Sequence, residues 1–181
     1  MIEVKNPTNA KPIAYKTELE KEVYETLEKL NIAYTRVETS PAITMEDCLA
    51  IDKVLGVEVI KTLFLCNQQK TKFYLFVTKS NKKFNTKAFS SALNISRVSF
   101  GSEELLHELL KVVIGACTIF SCLIDKDNKV EVIIDEDVIK DEYYGCSDGT
   151  TTCYMKLKTS DVLEKILPFS NHNATIIKFD S

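Results

Sequence analysis

The chain of 181 residues contains no tryptophan, only five glycines, four prolines and two histidines. So little glycine and proline excludes collagen-like and low-complexity classes. The six cysteines include no CxxC pair, and their spacings do not fit a zinc site. No metal and no cofactor is therefore expected. His107 and His172 each sit in a helical or post-helical polar context and are expected on the solvated surface. Any hydrolysis would then run without a histidine base. No apolar run approaches the roughly 18–20 residues needed to span a bilayer. The opening MIEVKNPTNAKPIAYK lacks the apolar core of a signal peptide. A cytoplasmic location with reduced thiols is expected, most cysteines lying in apolar segments as small hydrophobes.

One further absence is local. Between Val59 and Ser102 there is no Asp or Glu, while Lys61, Lys70, Lys72, Lys79, Lys82, Lys83, Lys87 and Arg97 are basic. The net charge is -3, so the remaining sequence carries fifteen basic against twenty-six acidic residues. Such asymmetry reads either as a polyanion-binding face on an acidic protein or as a lysine-rich hairpin kept soluble by charge.

What is present is ordinary core material, 45% hydrophobic and 27% charged. Thr17 and Glu20 form a capping box for a helix running to about Leu30, with Leu19, Val23 and Leu27 on one face. A strand follows near Tyr34–Val37. Thr44 caps a helix, MEDCLAIDKVL, that Gly56 ends. VEVIKTLFLCN and KFYLFVT form a hairpin. Thr86–Leu93 and SEELLHELLK read as helices, with a short strand at Arg97–Phe100 between them. Val112–Ile124 reads as an apolar strand through Gly115, turned by DKDNK into Val130–Ile134. Glu142–Gly149 reads as loop, Thr150–Leu157 as strand, Ser160–Leu167 as helix and Ala174–Phe179 as a last strand. The fold class is α/β of the mixed α+β kind: one domain, 16–181, with a mixed, curved or barrel-like sheet of about six or seven strands surrounded by helices. Residues 1–15 form a loosely held N-terminal extension.

Three features carry chemistry. Lys61 interrupts a strand that is apolar on both faces. An uncompensated buried ammonium costs several kcal/mol, so it must pair with a carboxylate, lose its proton, snorkel outward or await an anionic ligand. Gly115 marks either a bulge or a place where backbone N–H groups meet a carbonyl or phosphate. YYGCSDGTTT, Tyr143–Thr152, is either a hydroxyl-lined pocket wall or a set of turns.

The order SPAITMEDCLAIDKVLGVEVIKTLFL, SFGSEELLHELLKVVIGACTIFSCLID, VEVIIDEDV and TTTCYMKLKTSDVLEKIL resembles the YbaK/prolyl-tRNA deacylase-like family of aminoacyl-tRNA editing domains, over roughly Leu19–Phe179. That family usually reads HPA-x-T, then a lysine in K-x-LFL, then G-x-x-x-P, then a later His-Pro. Pro41-Ala42 matches the first element, Lys61 the second and Gly115 the third. Ser40 stands where His is common, Ala116-Cys117 replace Ser-Val, Ile119 replaces the loop proline and Tyr144-Gly145 replace His-Pro. The resemblance implies a hydrolase that cleaves the ester of a mischarged tRNA, with water oriented by the substrate's 2′-hydroxyl. The expected substrate is tRNA for proline carrying a small residue such as alanine.

It implies Lys61 and Gly115 as the catalytic positions and Thr44, Ala116, Cys117, Thr118, Ile119, Tyr144 and Asp148 as substrate-binding positions. The basic segment supplies Lys70, Lys72, Lys79, Lys82, Lys83 and Lys87 as tRNA contacts. Partners implied are the acceptor end of tRNA and a synthetase, with no membrane. The departures support a second reading, a catalytically impaired tRNA- or synthetase-binding module. Thiol chemistry at Cys117 is disfavoured, because no activating base is visible.

Overall fold

The computed structural model describes residues 1–42 and 44–180; Ile43, the variable position of the PA-x-T match, lies outside them. Thr17 accepts from the Glu20 N–H at 3.0 Å and opens helix α1 (Glu18–Lys29). Glu20 returns a bond to the Lys16 N–H at 3.1 Å. Leu19, Val23 and Leu27 form the stripe that α1 buries, each worth roughly 1.5–3 kcal/mol. Strand β1 (Tyr34–Glu38) leads to α2 (Met45–Leu55), which Gly56 ends in the left-handed conformation at φ 74°.

The hairpin β2 (Lys61–Asn67) and β3 (Phe73–Thr78) follows, then α3 (Thr86–Leu93), β4 (Val98–Phe100) and α4 (Glu103–Leu110). Strand β5 (Val130–Asp135), the short α5 (Glu136–Ile139), β6 (Tyr143–Ser147) and β7 (Cys153–Lys158) come next. A helical run, Thr159–Asp161 through the wide turn Val162–Ile166 to Leu167–Phe169, precedes β8 (Ala174–Ile177).

The strands make two sheets, where one sheet of six or seven strands was expected. The larger, β4-β2-β3-β5-β8, is mixed: β2 pairs antiparallel with β3 and β4, while β5 is parallel to β3 and β8. The smaller, β1-β7-β6, is antiparallel. Among the described residues the two meet at one parallel bridge, Val59 to Gly145, where the Ile60 N–H donates to the Gly145 carbonyl at 3.0 Å. They do not close into a barrel among the described residues.

Gly145 is there for close approach. A Cβ at this position would overlap the Glu58 carbonyl and crowd Val57. One core cluster lies against α1 and the C-terminal helical run, and a second packs α3 on the larger sheet through Leu65, Phe76 and Phe89. The β2 strand is thus covered on both faces, as its two apolar stripes require.

Four expectations are corrected here. Val112–Ile124 is not a strand: Ile119–Leu123 is a 3-10 turn capped by Thr118, and Gly115 lies in a turn rather than a bulge. The polar sequence Tyr143–Ser147 is not a loop but β6, because β7 supplies its partner bonds. His172 is not on the surface: it is 2% exposed, with Nε2 at 2.9 Å from Asp125 Oδ2 and Nδ1 at 2.7 Å from the Ser170 carbonyl. Residues 3–10 are not loose, since Lys5 and Thr8 N–H groups donate to the Glu38 and Arg36 carbonyls along the edge of β1.

Candidate active site

A cavity of about 300 Å³ opens where α2, the entry to β2 and the Gly115 turn converge on the end of β6. Met45, Cys48, Leu49 and Asp52 form its helical wall. These are spaced i, i+3, i+4, i+7, one face of α2, while Ile51 and Leu55 on the adjoining face enter the core. Ala42 and Thr44 stand at the start of that wall. Thr44 is held in place by a reciprocal capping box: its hydroxyl accepts from the Asp47 N–H at 3.1 Å, and its own N–H donates to Asp47 Oδ2 at 2.9 Å.

Lys61 enters from the first residue of β2. Its ammonium donates to the Lys82 carbonyl. Among the described residues no carboxylate lies within ion-pair distance of it. Burial lowers its affinity for the proton below the ordinary lysine range. Asp52 brings the opposite charge to the same cavity. Its Oδ1 accepts from the Val59 N–H at 2.8 Å, which ties α2 to the β2 entry. Burial raises this carboxyl above its usual range, against the Val59 bond.

The opposite wall is Gly115 and Cys117 with Cys146, Ser147 and Tyr154. Gly115 has φ +90°, a conformation that side-chain-bearing residues rarely adopt, while a Cβ there would meet only Thr151 at 3.9 Å. Backbone conformation favours glycine here, whatever approaches it from the cavity side. Ala116 N–H closes the turn onto the Val113 carbonyl at 3.1 Å. Among the described residues, neither the Gly115 nor the Cys117 N–H is spent on an internal hydrogen bond. Thr118 is fully buried, and its hydroxyl donates to the Ser147 carbonyl at 2.8 Å, so it pins the turn to β6.

Of the substrate-binding positions that the sequence suggests, Thr44 and Cys117 line the cavity, beside Lys61 and Gly115. Ala116, Thr118 and Ile119 are buried behind it. Tyr144 is in the core with its hydroxyl unpartnered, and the cavity-facing residues of that strand are Cys146 and Ser147. Asp148 is also withdrawn: it accepts from the hydroxyls of Tyr24 at 2.8 Å and Thr150 at 2.7 Å and so fixes the 148–152 turn. Cys117 is no thiolate, because burial pushes its thiol up to about 12 against a Thr118 N–H. Among the described residues no group of His, Cys, Asp and Glu is arranged to hold a metal ion.

Sequence reasoning missed the α2 wall, Ser80 and Tyr154, and held Ser147 only as part of the Tyr143–Thr152 stretch. The signal for α2 was a second apolar stripe, Met45 and Leu49, left 60% and 65% exposed.

The basic residues divide. Lys70, Lys72, Lys83 and Lys87 are exposed. Lys87 and Arg97 line an open polar groove of about 640 Å³ with Asn85, Ser90 and Asn94. Lys79 and Lys82 are engaged internally, Lys79 with Glu58 at 2.7 Å and with Asp141, Lys82 with Asp135 at 2.8 Å and Asp137 at 2.7 Å. The acid-free segment is partly neutralised by acids from elsewhere in the chain.

The family model for the aminoacyl-tRNA editing domain matches residues 39–165. The chain is similar to the prolyl-tRNA editing protein ProX of Acetoanaerobium sticklandii, 30% identical over 78% of this chain and 85% of the relative. It is 26% identical to prolyl-tRNA synthetase associated domain-containing protein 1 of Danio rerio, over 90% of this chain and 89% of that one. A solved structure of a candidate trans-editing enzyme for prolyl tRNA synthetase superposes with TM-score 0.64 at 13% identity, covering 92% of this chain and all of that one, 100%. With cavity, lysine and glycine turn in the same family-matched span, the chain belongs to the aminoacyl-tRNA editing domain family.

Proposed function

We propose that this protein is a free-standing deacylase that hydrolyses the ester of a mischarged tRNA, most specifically alanine on tRNA for proline. The observation that carries the reading is one small cavity holding a cation that has, among the described residues, no carboxylate partner, opposite a glycine turn with two N–H groups unspent among those residues. A carbonyl oxygen held by the Gly115 and Cys117 amides becomes more electrophilic, and the charge that develops on it is stabilised by donors already in place. Lys61 meets the terminal ribose or its phosphate, and Asp52 accepts from the substrate's α-ammonium. A water attacks the carbonyl carbon, the bond to the ribose oxygen breaks, and that oxygen takes up the proton. The substrate's 2′-hydroxyl orients the water, which suits a cavity without histidine: His107 is exposed on α4 and His172 lies in the core with Asp125.

A volume of about 300 Å³ accommodates a small aminoacyl group with part of its ribose. The absence of histidine also favours a second reading, a module that binds charged tRNA or a synthetase without turnover. Purified Ala-, Cys- and Ser-charged tRNA separates the two. Release of alanine well above the spontaneous rate is expected. Tight binding with no release of any amino acid would give the second reading.

A further inference from the structure

Lys82 looks from sequence like a phosphate contact, and its surroundings give it another task. Its ammonium has three N–H donors, and three acceptors take them: Asp135 Oδ2 at 2.8 Å, Asp137 Oδ2 at 2.7 Å and the Phe179 carbonyl at 2.7 Å. Asp135 is fully buried and also accepts from the Thr78 hydroxyl at 2.7 Å. No donor remains for a ligand. The backbone carbonyl of the same residue accepts the ammonium of Lys61. The other flank of this turn is clamped as well. Ser80 N–H and hydroxyl both donate to Glu58 Oε1, at 2.8 and 2.6 Å, and Lys79 pairs with Glu58 and Asp141.

We infer that Lys82 is a positioning residue for Lys61: its side chain, locked to the end of β5 and to Phe179, fixes the carbonyl that holds the Lys61 ammonium at the cavity. A lysine head on a four-carbon stem otherwise samples many rotamers. Fixing one donor on a rigid carbonyl leaves two aimed at the substrate and removes that search from the reaction. Asp135, Asp137 and the C-terminal segment thereby act on the site without touching it. This inference rests on the deacylase reading for its kinetic consequence only, since the hold on Lys61 exists with or without that activity.

The test is trace acetylation of native protein with acetic anhydride, reading Lys61 against exposed Lys53 by mass spectrometry, beside single-turnover hydrolysis of Ala-charged tRNA for proline. In folded Lys82→Met, Lys61 labelling is expected to rise several-fold. The rate constant is expected to fall by about 10²-fold, with half-saturation little changed. Asp137→Asn removes one exposed anchor and leaves Asp135, so it keeps the fold and moves both readouts in the same direction by less. It decides the matter if Lys82→Met does not fold. Unchanged Lys61 labelling in a folded variant overturns the inference whatever the hydrolysis assay gives, and so does raised labelling with an unchanged rate. If wild type hydrolyses no charged tRNA while labelling still responds, the deacylase reading fails and the hold on Lys61 stands.

Discussion

Lys61 is the residue on which chemistry and stability pull apart. Its ammonium sits half-buried with a carbonyl and, among the described residues, no carboxylate, and burial disfavours its charge. Removing it relieves a desolvation cost and leaves no buried anion unpaired. Lys61→Ala is therefore expected to melt at or above the wild-type temperature. Gly115 behaves in the opposite way. Because its φ of +90° is the constraint, Gly115→Ala should cost roughly 1–2 kcal/mol by denaturant unfolding, and hydrolysis should fall on the order of 10²-fold if one carbonyl donor turns away. Cys117→Ser should keep most activity, its thiol being protonated and without an activating base. Lys61 and Gly115 were legible in sequence because each breaks a local rule: a charge in an apolar strand, a glycine in an apolar run. Tyr144 and Asp148 misled, since Tyr144 is taken into the core cluster and Asp148 is claimed by the hydroxyl of Tyr24, 124 residues away, neither of which the local sequence announces.

At the scale of elements, helices with caps were read to within a residue or so: α2 and α3 carry their own start and stop signals. The 112–124 segment was not, because continuous apolar character fits a buried turn as well as a strand. The cavity wall on α2 depends on Gly145 letting β6 reach the β2 entry. Gly145→Ala should destabilise by roughly 1–3 kcal/mol through overpacking on the Glu58 carbonyl, read as a lower denaturant midpoint. A second tie, Asp125 with His172, joins the segment after the 3-10 turn to the end of the C-terminal helical run. Burial alone would raise the Asp125 carboxyl. Bonds from His172 and the N–H groups of Val130 and Lys129 outweigh it and hold the carboxyl below its ordinary range. Its contribution is thus complete above an unfolded-state value of about 3.9 and is lost as pH falls through the lower folded value. Asp125→Ala leaves the buried Val130 N–H and the His172 ring without their acceptor, so it should remove roughly 1–3 kcal/mol at neutral pH and flatten the acid limb of the melting curve.

Across the whole molecule, charge asymmetry was visible in composition, whereas its partial cancellation by Glu58, Asp135, Asp137 and Asp141 is a product of the fold. The exposed cations that remain in the acid-free 59–102 segment are Lys70, Lys72, Lys83, Lys87 and Arg97. If Lys83 and Lys87 contact tRNA phosphates, Lys83→Gln and Lys87→Gln should each reduce the slope of log affinity against log salt by about 1. Unaltered slopes in a filter-binding titration would remove that face from the interface. The central claim, ester hydrolysis at the Lys61 cavity, is tested most directly by release of alanine from purified Ala-charged tRNA for proline, wild type against Lys61→Ala. Rapid release by wild type and a loss on the order of 10²-fold in a variant that melts no lower is the expected result. Equal rates in the two proteins, or a slow variant that also melts several degrees lower, would contradict it.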